Sequence, residues 1–256
     1  MAVSTVISVM MRGTAIVFLL ALSTPAFAED VPLPRARPVA EEPKVVEIHE
    51  LSPFPSDCQI RLAEKADIQR RPTMVGPGIC GGHDMVRITA VRVGDGSKVA
   101  INPPAELRCP MAQAIADFVR ETIVPSFAPV RVTSVENYDA YSCRGRNRVI
   151  GAKISEHGKG NAIDIRAFRL AGGISVEPTD PKASRDLRER LKQEACARFK
   201  TVLGPGSDGF HEGHVHLDLA ERRRGYSMCQ WDVRDPPPPP TVVAQVPLPP
   251  RRPPQP

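Results

Sequence analysis

The segment SEHGKGNAIDIRAF, residues 155–168, carries both a predicted strand and an unusual group of polar side chains. Its second half alternates apolar and polar residues, which is the period of a β-strand with two unlike faces. Ile163 and Ile165 are expected on one face, and Asp164 on the other. Because an unpaired buried charge is costly, the segment predicts a binding partner for Asp164.

A second polar segment, HEGHVH at residues 211–216, runs into another predicted strand. Together the two segments contain four of the six histidines of the chain. His214 and His216 are two residues apart, so their side chains share one face of the strand. Two imidazoles and one carboxylate from these segments form a three-ligand zinc site, whose fourth position stays open for water. Zinc of this kind favours amide hydrolysis, because it polarises a carbonyl and lowers the pKa of water.

The two segments, S-E-H-x-x-G-x-A-x-D followed by H-x-x-H-x-H, resemble the motifs of a group of zinc metallopeptidases. The group includes D-alanyl-D-alanine carboxypeptidases and the penicillin-insensitive murein endopeptidase, and the hedgehog signalling domain is a relative. With its cysteines and proline-rich ends, the chain is similar to the bacterial extensin-like C-terminal domain family over about residues 55–232. The resemblance implies Zn²⁺ held by His157, Asp164 and His216, and peptides of peptidoglycan as the substrate.

The resemblance further implies a histidine or a glutamate as the general base. His214 takes the place of the histidine that acts as a base or stabilises the transition state, and His211 matches a histidine of the endopeptidase branch. Many carboxypeptidases use the glutamate of a Glu-x-x-His segment, a spacing that Glu212 does not match to His216. The attacking water is therefore expected to lose its proton to His214, with Glu212 and Glu156 as the alternatives.

Two arginines of a polar loop are expected to act on the substrate. Arg144 stands where the carboxypeptidases place an arginine that contacts the carbonyl or carboxylate of the substrate, and Arg146 is the alternative. A guanidinium group at this place would offset the developing charge of the oxyanion. A solvated role in a basic loop stays open for both residues.

The ends of the chain differ in composition from its middle. Residues 1–28 combine a positive charge, a short apolar run and an A-F-A pattern, which is typical of a cleaved signal peptide. The stretches 29–50 and 235–256 are rich in proline and predict a linker and a disordered tail. Residues 51–234 remain as one domain of ordinary size. We therefore expect an exported protein of the periplasm or cell envelope, without stable membrane insertion.

The cysteines and the net charge give further information on the cellular compartment and on the class of partner. The chain has six cysteines and no C-x-x-C pair, which fits an oxidising compartment and a disulfide-stabilised domain. The connectivity stays open, and pairing between sequence neighbours predicts Cys58–Cys80, Cys109–Cys143 and Cys196–Cys229. The net charge of +5 and the pI near 9.0 suit an anionic polymer or a membrane surface. Export and the lack of a recognised motif disfavour nucleic acid as a partner.

The order of predicted elements indicates an α+β domain. Helices are predicted at 110–123 and 181–203, and strands at 86–93, 130–135, 161–168 and 214–219. The first third of the domain is expected to be irregular with short strands. Because strands and helices do not alternate regularly, we expect a small antiparallel sheet flanked by helices. The resemblance adds the zinc metallopeptidase architecture of D-Ala-D-Ala carboxypeptidases and hedgehog.

More than one function is consistent with these features. The motifs and the signal peptide favour a zinc peptidase that acts on peptidoglycan, as an endopeptidase or a carboxypeptidase. The alternative is a noncatalytic zinc module that binds cell-wall polymer or a protein partner, as the hedgehog relative illustrates. A structural envelope protein without metal is the third possibility.

Overall fold

The computed structural model describes residues 47, 48 and 50–236. The signal peptide expected at 1–28 lies outside the described residues, as do most of the linker expected at 29–50 and most of the tail expected at 235–256. In the described part of the chain, no helix is long and apolar enough to span a membrane.

Twelve strands and four α-helices make up this described part. The helices are α1 (Asp57–Lys65), α2 (Cys109–Phe118), α3 (Val124–Phe127) and α4 (Arg185–Arg198). The strands are β1 (Glu47–Ile48), β2 (Ala66–Arg70), β3 (Met74–Val75), β4 (Gly81–Gly82), β5 (Met85–Arg92), β6 (Lys98–Arg108), β7 (Val132–Asp139), β8 (Ala162–Leu170), β9 (Ser175–Val176), β10 (Thr201–Leu203), β11 (Val215–Asp218) and β12 (Met228–Gln230). A π-helical turn, Val119–Ile123, joins α2 to α3, and a 3₁₀ turn, Glu156–Lys159, precedes β8.

Nine of the strands form one sheet, in the order β12-β10-β11-β8-β7-β6-β5-β2, with β9 beside β8. Strands β1, β3 and β4 form a small second sheet. In the main sheet, β6 is parallel to β7 and β10 is parallel to β12, whereas the other neighbours are antiparallel. The expected small antiparallel sheet is therefore wrong, since the main sheet is large and mixed. The chain passes from β6 to β7 through α2 and α3, and a parallel neighbour needs such a crossover.

Helices α1, α2 and α4 pack against the main sheet around one hydrophobic core, which confirms the α+β class. Phe118 at the end of α2 and Phe199 after α4 meet edge to face, with ring centroids 5.6 Å apart. Ile163 and Ile165 of β8 point into this core and are buried. The alternation of side chains then turns Asp164 to the opposite face of the sheet, which confirms the two faces predicted for this strand.

Most of the predicted elements after residue 85 are present. The helix predicted at 110–123 is confirmed as α2 and the π turn that continues it. The strands predicted at 86–93, 161–168 and 214–219 correspond to β5, β8 and β11. The strand predicted at 130–135 corresponds to β7, which continues past that range.

The helix predicted at 181–203 is shorter than expected. Helix α4 begins after Ser184, whose hydroxyl accepts a hydrogen bond from the amide of Leu187 as an N-cap. It ends at Arg198, and the backbone is extended at Phe199. The β-branched residues Thr201 and Val202 follow in β10, because such side chains favour strands over helices.

The first third of the domain contains the expected short strands, β2, β3 and β4, but it is more regular than expected. Ser56 and Gln59 form a capping box that begins helix α1. Strand β6 is 11 residues long, although it contains Pro103 and Pro104. These prolines lie where the ladder between β5 and β6 is interrupted, so β5 requires no backbone donor from them.

Three disulfides cross-link the domain: Cys58–Cys109, Cys80–Cys143 and Cys196–Cys229. The pairing expected between sequence neighbours is confirmed for the third and is wrong for the first two. Helix α1 lies beside α2, so the first turns of both helices can be joined. Cys80 directly precedes β4, which contacts the 3₁₀ turn before β8. The disulfides are compatible with export.

Candidate metal centre

Three side chains from separate elements meet on one face of the main sheet: His157, Asp164 and His216. Asp164 on β8 and His216 on β11 are directly paired across the two strands, and His157 lies in the 3₁₀ turn before β8. The Nε2 atom of His157 is 3.2 Å from Oδ1 of Asp164 and 3.1 Å from Nδ1 of His216. The distance from His216 Nδ1 to Asp164 Oδ1 is 2.9 Å. The three donor atoms therefore form a nearly equilateral triangle.

The size of this triangle suits a tetrahedral metal ion. Zinc bonds of about 2.0–2.1 Å in a tetrahedral arrangement place neighbouring ligand atoms about 3.3 Å apart. The three measured separations are close to that value. Two imidazoles and one carboxylate are also donor types that zinc takes. The residues that the sequence predicts as zinc ligands could thus hold this ion without a change of backbone.

Hydrogen bonds behind the cluster fix both histidine rings. Nδ1 of His157 donates to the carbonyl oxygen of Ala140 at 2.6 Å, and Nε2 of His216 donates to the carboxylate of Asp218 at 3.1 Å. In the neutral rings, each bond leaves the other nitrogen with its lone pair towards Asp164. A metal ligand needs this tautomer, and the two hydrogen bonds orient both rings for it.

Two carboxylates keep His216 charged in the metal-free protein. Burial alone would lower the pKa of His216, but its hydrogen bonds to Asp164 and Asp218 outweigh burial and raise the pKa to about 9. Burial would raise the pKa of Asp164, but hydrogen bonds from His157 and His216 hold this pKa well below its usual range. A proton on His216 thus balances the buried negative charge, and a metal cation would replace that proton.

The cluster lies in the floor of an open cleft of about 710 Å³. The walls come from the loop that follows β7 and from the loop that precedes β11. Tyr138 and Phe210 line the cleft with side chains that are strongly exposed, at 58% and 57%. A molecule from solvent can therefore reach the three donor atoms.

His214 and His211 lie beside the three donors. Nε2 of His214 is 3.5 Å from the carboxylate of Asp164, and burial lowers the pKa of His214. Nδ1 of His211 donates to the carboxylate of Asp208 at 2.7 Å, and its ring centroid is 5.1 Å from that of His214. The ring of Tyr138 lies over His214, with centroids 5.0 Å apart. The structure therefore brings both predicted catalytic histidines to the cleft.

The two arginines differ in their surroundings. Arg144 lines the cleft, but its Nη2 and Nε atoms donate to Asp139 at 2.7 and 3.2 Å. Asp139 thereby neutralises the charge of Arg144. Arg146 also lines the cleft and is exposed, and it forms no ion pair within the described residues. Of these two arginines, Arg146 has the charge that is free for a ligand.

The carboxylates of the two glutamates already accept hydrogen bonds from other residues of the protein. Glu212 accepts from the amide of Gly206 at 2.8 Å and from Arg234 at 3.2 Å, and it does not line the cleft. It precedes β11 rather than belonging to it, so the alternation of that strand does not place it beside His214. Glu156 lines the cleft, but Lys159 and Asn161 donate to its two oxygens at 2.6 and 2.7 Å.

Sequence reasoning missed two acidic residues that support the cluster. Asp218 follows His216 by two residues, so the same alternation that pairs His214 with His216 places it on this face. Asp208 belongs to a glycine-rich loop, and no pattern in that loop distinguishes it from a solvated turn residue. The carbonyl of Ala140 has no signature in a side-chain pattern at all.

The Cys80–Cys143 disulfide lies against the turn that carries His157. A Cβ atom on Gly158 would be 3.1 Å from Sγ of Cys80, so the turn and the disulfide are in close contact. The neighbouring amide of Ser142 donates to the carbonyl of His157 at 3.3 Å. The disulfide therefore supports the position of one of the three donors.

Replacing Cys80 and Cys143 together with serine is expected to weaken zinc binding about tenfold, the lower end of what loss of ligand support costs. Isothermal titration with Zn²⁺ measures this change. Replacing Cys58 and Cys109 with serine is the matched control, which should lower the unfolding temperature but leave zinc affinity unchanged. Equal affinities for the two variants would contradict a role for the Cys80–Cys143 disulfide in the cluster.

Fold and site together define a disulfide-bonded α+β protein with a buried His–Asp–His cluster at the floor of an open cleft. The family model described as Extensin-like protein C-terminus matches residues 56–230. The chain belongs to this family. No curated protein and no solved structure matches the chain.

Proposed function

We propose that the protein is an exported zinc-dependent peptidase that hydrolyses peptide bonds of peptidoglycan. The observation that carries this proposal is the triangle of His157, Asp164 and His216 donor atoms in an open cleft. The motifs of the two segments resemble those of zinc peptidases that act on the cell wall. When bound, Zn²⁺ would polarise the scissile carbonyl and lower the pKa of water.

His214 is the residue best suited to move the proton. Its side chain is 13% exposed, so it is sheltered yet reachable from the cleft. Because burial lowers its pKa, the ring is neutral at neutral pH and can accept a proton from the attacking water. The same ring can then give that proton to the leaving amine. The ring of Tyr138 lies beside this ring, with centroids 5.0 Å apart.

His211 and Arg146 are suited to contact the substrate. Asp208 holds His211 through Nδ1, which leaves Nε2 available for a hydrogen bond. Arg146 supplies a positive charge at the cleft wall, whereas the charge of Arg144 is balanced by Asp139. A guanidinium group near the scissile bond offsets negative charge that develops on the carbonyl oxygen.

One feature favours the noncatalytic alternative, a zinc module that binds cell-wall polymer. Many zinc peptidases use a free carboxylate as the base. In the described part of the chain, Glu156 has both oxygens in hydrogen bonds, and Glu212 does not line the cleft. The two functions therefore differ in whether His214 is sufficient as a base.

Metal analysis combined with digestion of purified sacculi tests the proposal. The full-length mature protein is expected to contain equimolar zinc and to release muropeptide fragments. Release should stop with a chelator, return with added Zn²⁺, and be absent in His216→Ala. Binding to sacculi that persists in His214→Ala, with no fragment released by the zinc-loaded wild type, would instead establish the noncatalytic module.

A further inference from the structure

A row of five residues crosses the strands beneath the cleft. Its members pair in register from strand to strand: Asp139 on β7, Asp164 on β8, His216 on β11, Leu203 on β10 and Gln230 on β12. All five line the same cleft. The cleft therefore runs across the strands, and the two metal donors of the row lie in its middle rather than at one end.

The arm of the cleft between His216 and Gln230 is long enough for several residues of substrate. Neighbouring strands lie about 4.8 Å apart, so the two spacings from β11 to β12 amount to about 10 Å. An extended peptide advances about 3.3 Å per residue, so about three residues fit along this arm. The opposite arm includes one further strand, β7, and the loop that carries Arg146. Substrate can therefore extend to both sides of the metal donors.

Both arms end at exposed side chains. Gln230 is exposed on β12, which is the outer strand of the main sheet. At the other side, Tyr138 and Arg146 line the cleft and are exposed. No wall closes either arm within the described residues, so a chain could enter on one side and leave on the other.

The β7 arm of the cleft has no cation that is both unpaired and held in place, because Arg146 is unpaired but exposed and without a side-chain hydrogen bond among the described residues. An enzyme that removes the last residue of a peptide needs a fixed, unpaired cation near the scissile bond to hold that carboxylate. Arg144 is the sheltered cation of this arm, with 17% side-chain exposure. Its bonds to Asp139 already use that charge.

The β10 arm contains a different cation. Arg222 lines the cleft and donates to the carbonyl of Lys200 at 2.9 Å and to the hydroxyl of Thr201. It has no acidic partner among the described residues. These two bonds hold the guanidinium group in place, which suits it to an acidic group of the substrate. The cleft continues past β10 to Gln230 on β12, so the peptide need not end at this group.

We infer that the site cuts an internal bond of a peptide that passes through the cleft, with an acidic group of the peptide on Arg222. This inference rests on the proposed function and names its substrate class, the cross-linked peptides of the cell wall. In the reaction the oxygen of water bonds to the carbonyl carbon, and the C–N bond breaks. The proton passes to the leaving nitrogen, so the products are one new carboxylate and one new amine.

A comparison of two substrates tests the inference. The zinc-loaded full chain is incubated with a purified cross-linked muropeptide dimer and with a monomeric peptide that ends in D-Ala-D-Ala, and mass spectrometry follows the products. The expected result is conversion of the dimer to monomers, with the terminal residue of the monomeric peptide retained. Loss of that residue with the dimer intact would overturn the inference and leave the proposed peptidase function standing. If both substrates stay intact, the proposed function fails as well.

Blocking the β12 arm provides an independent test. Gln230→Trp fills the arm and is expected to slow cleavage of the dimer at least about tenfold, with zinc affinity unchanged. Met228→Trp, on the same strand, blocks the arm at a second position, so a folding defect of Gln230→Trp alone does not decide the test. Ser227→Trp is the matched control, because Ser227 is exposed but does not line the cleft. Full dimer cleavage by both Gln230→Trp and Met228→Trp would overturn the inference.

Discussion

Replacing Asp164 with alanine is expected to lower the affinity for zinc on the order of 100- to 1000-fold. Structural zinc sites with four ligands bind with about 10–16 kcal/mol, which corresponds to about 3 kcal/mol for each ligand. Asp164 also carries the hydrogen bonds that join it to His157 and His216 at 3.2 and 2.9 Å. Loss of its carboxylate therefore removes one donor and a hydrogen-bond partner of the other two, whose rings keep their bonds to Ala140 and Asp218. Hydrolysis of muropeptides should fall below detection in the same variant.

Two further variants separate loss of the ligand from a general defect. Asp164→Asn keeps the volume of the side chain but removes its charge, so it should fold and still bind zinc poorly. Glu136→Gln removes a carboxylate from the adjacent strand β7, where Glu136 pairs with Arg169 outside the cleft, and should leave zinc affinity unchanged. Titration calorimetry and thermal unfolding of all three variants measure these effects. Normal zinc affinity in Asp164→Ala would eliminate the cluster as the metal site.

The metal-free protein is expected to lose stability as the pH rises from about 6.5 to above 9. The pKa of His216 is raised from the model-peptide value of 6.5 to about 9. A raised pKa in the folded state stabilises the protein fully below the pKa of the unfolded chain, and this contribution disappears as the pH passes the folded value. The shift corresponds to a free energy of unfolding on the order of 3 kcal/mol.

Zinc should abolish this loss of stability. Metal ligands bind in their deprotonated form, so zinc replaces the proton on His216 and binds more tightly at higher pH. The difference in the free energy of unfolding between zinc-loaded and chelated samples should therefore widen between pH 6.5 and 9. Urea unfolding at several pH values, with and without chelator, gives both curves. If stability depends on pH in the same way with and without chelator, the two carboxylates do not raise the pKa of His216.

Local patterns in the sequence were sufficient for the centre of the site. The alternation in residues 161–168 is a property of neighbouring residues, and it correctly separates Ile163 and Ile165 from Asp164. The spacing of His214 and His216 places both at the cleft for the same reason. The same alternation predicts that Asp218 lies on this face as well, but Asp218 is outside the HEGHVH segment and was not considered.

Features that depend on distant parts of the chain could not be predicted. The pairing of Cys58 with Cys109 requires knowing that α1 lies beside α2, which no local pattern encodes. Strand β6 was hidden because Pro103 and Pro104 argue against a strand unless the interruption in its ladder is known. Glu212 was an alternative base in the sequence, but its segment lies before β11, where strand alternation does not place it at the cleft.

The direct pairing of Asp164 with His216 across β8 and β11 also bears on how this centre can diversify. Two of the three donors approach each other through the hydrogen-bond ladder alone, so neither surrounding loop is needed to align them. Lengthening the loop around Arg146 or the one around Phe210 should alter which molecules are accepted while the coordination chemistry persists. Homologues with unlike ligands, and laboratory loop grafts, are therefore expected to keep this pair of strands nearly invariant.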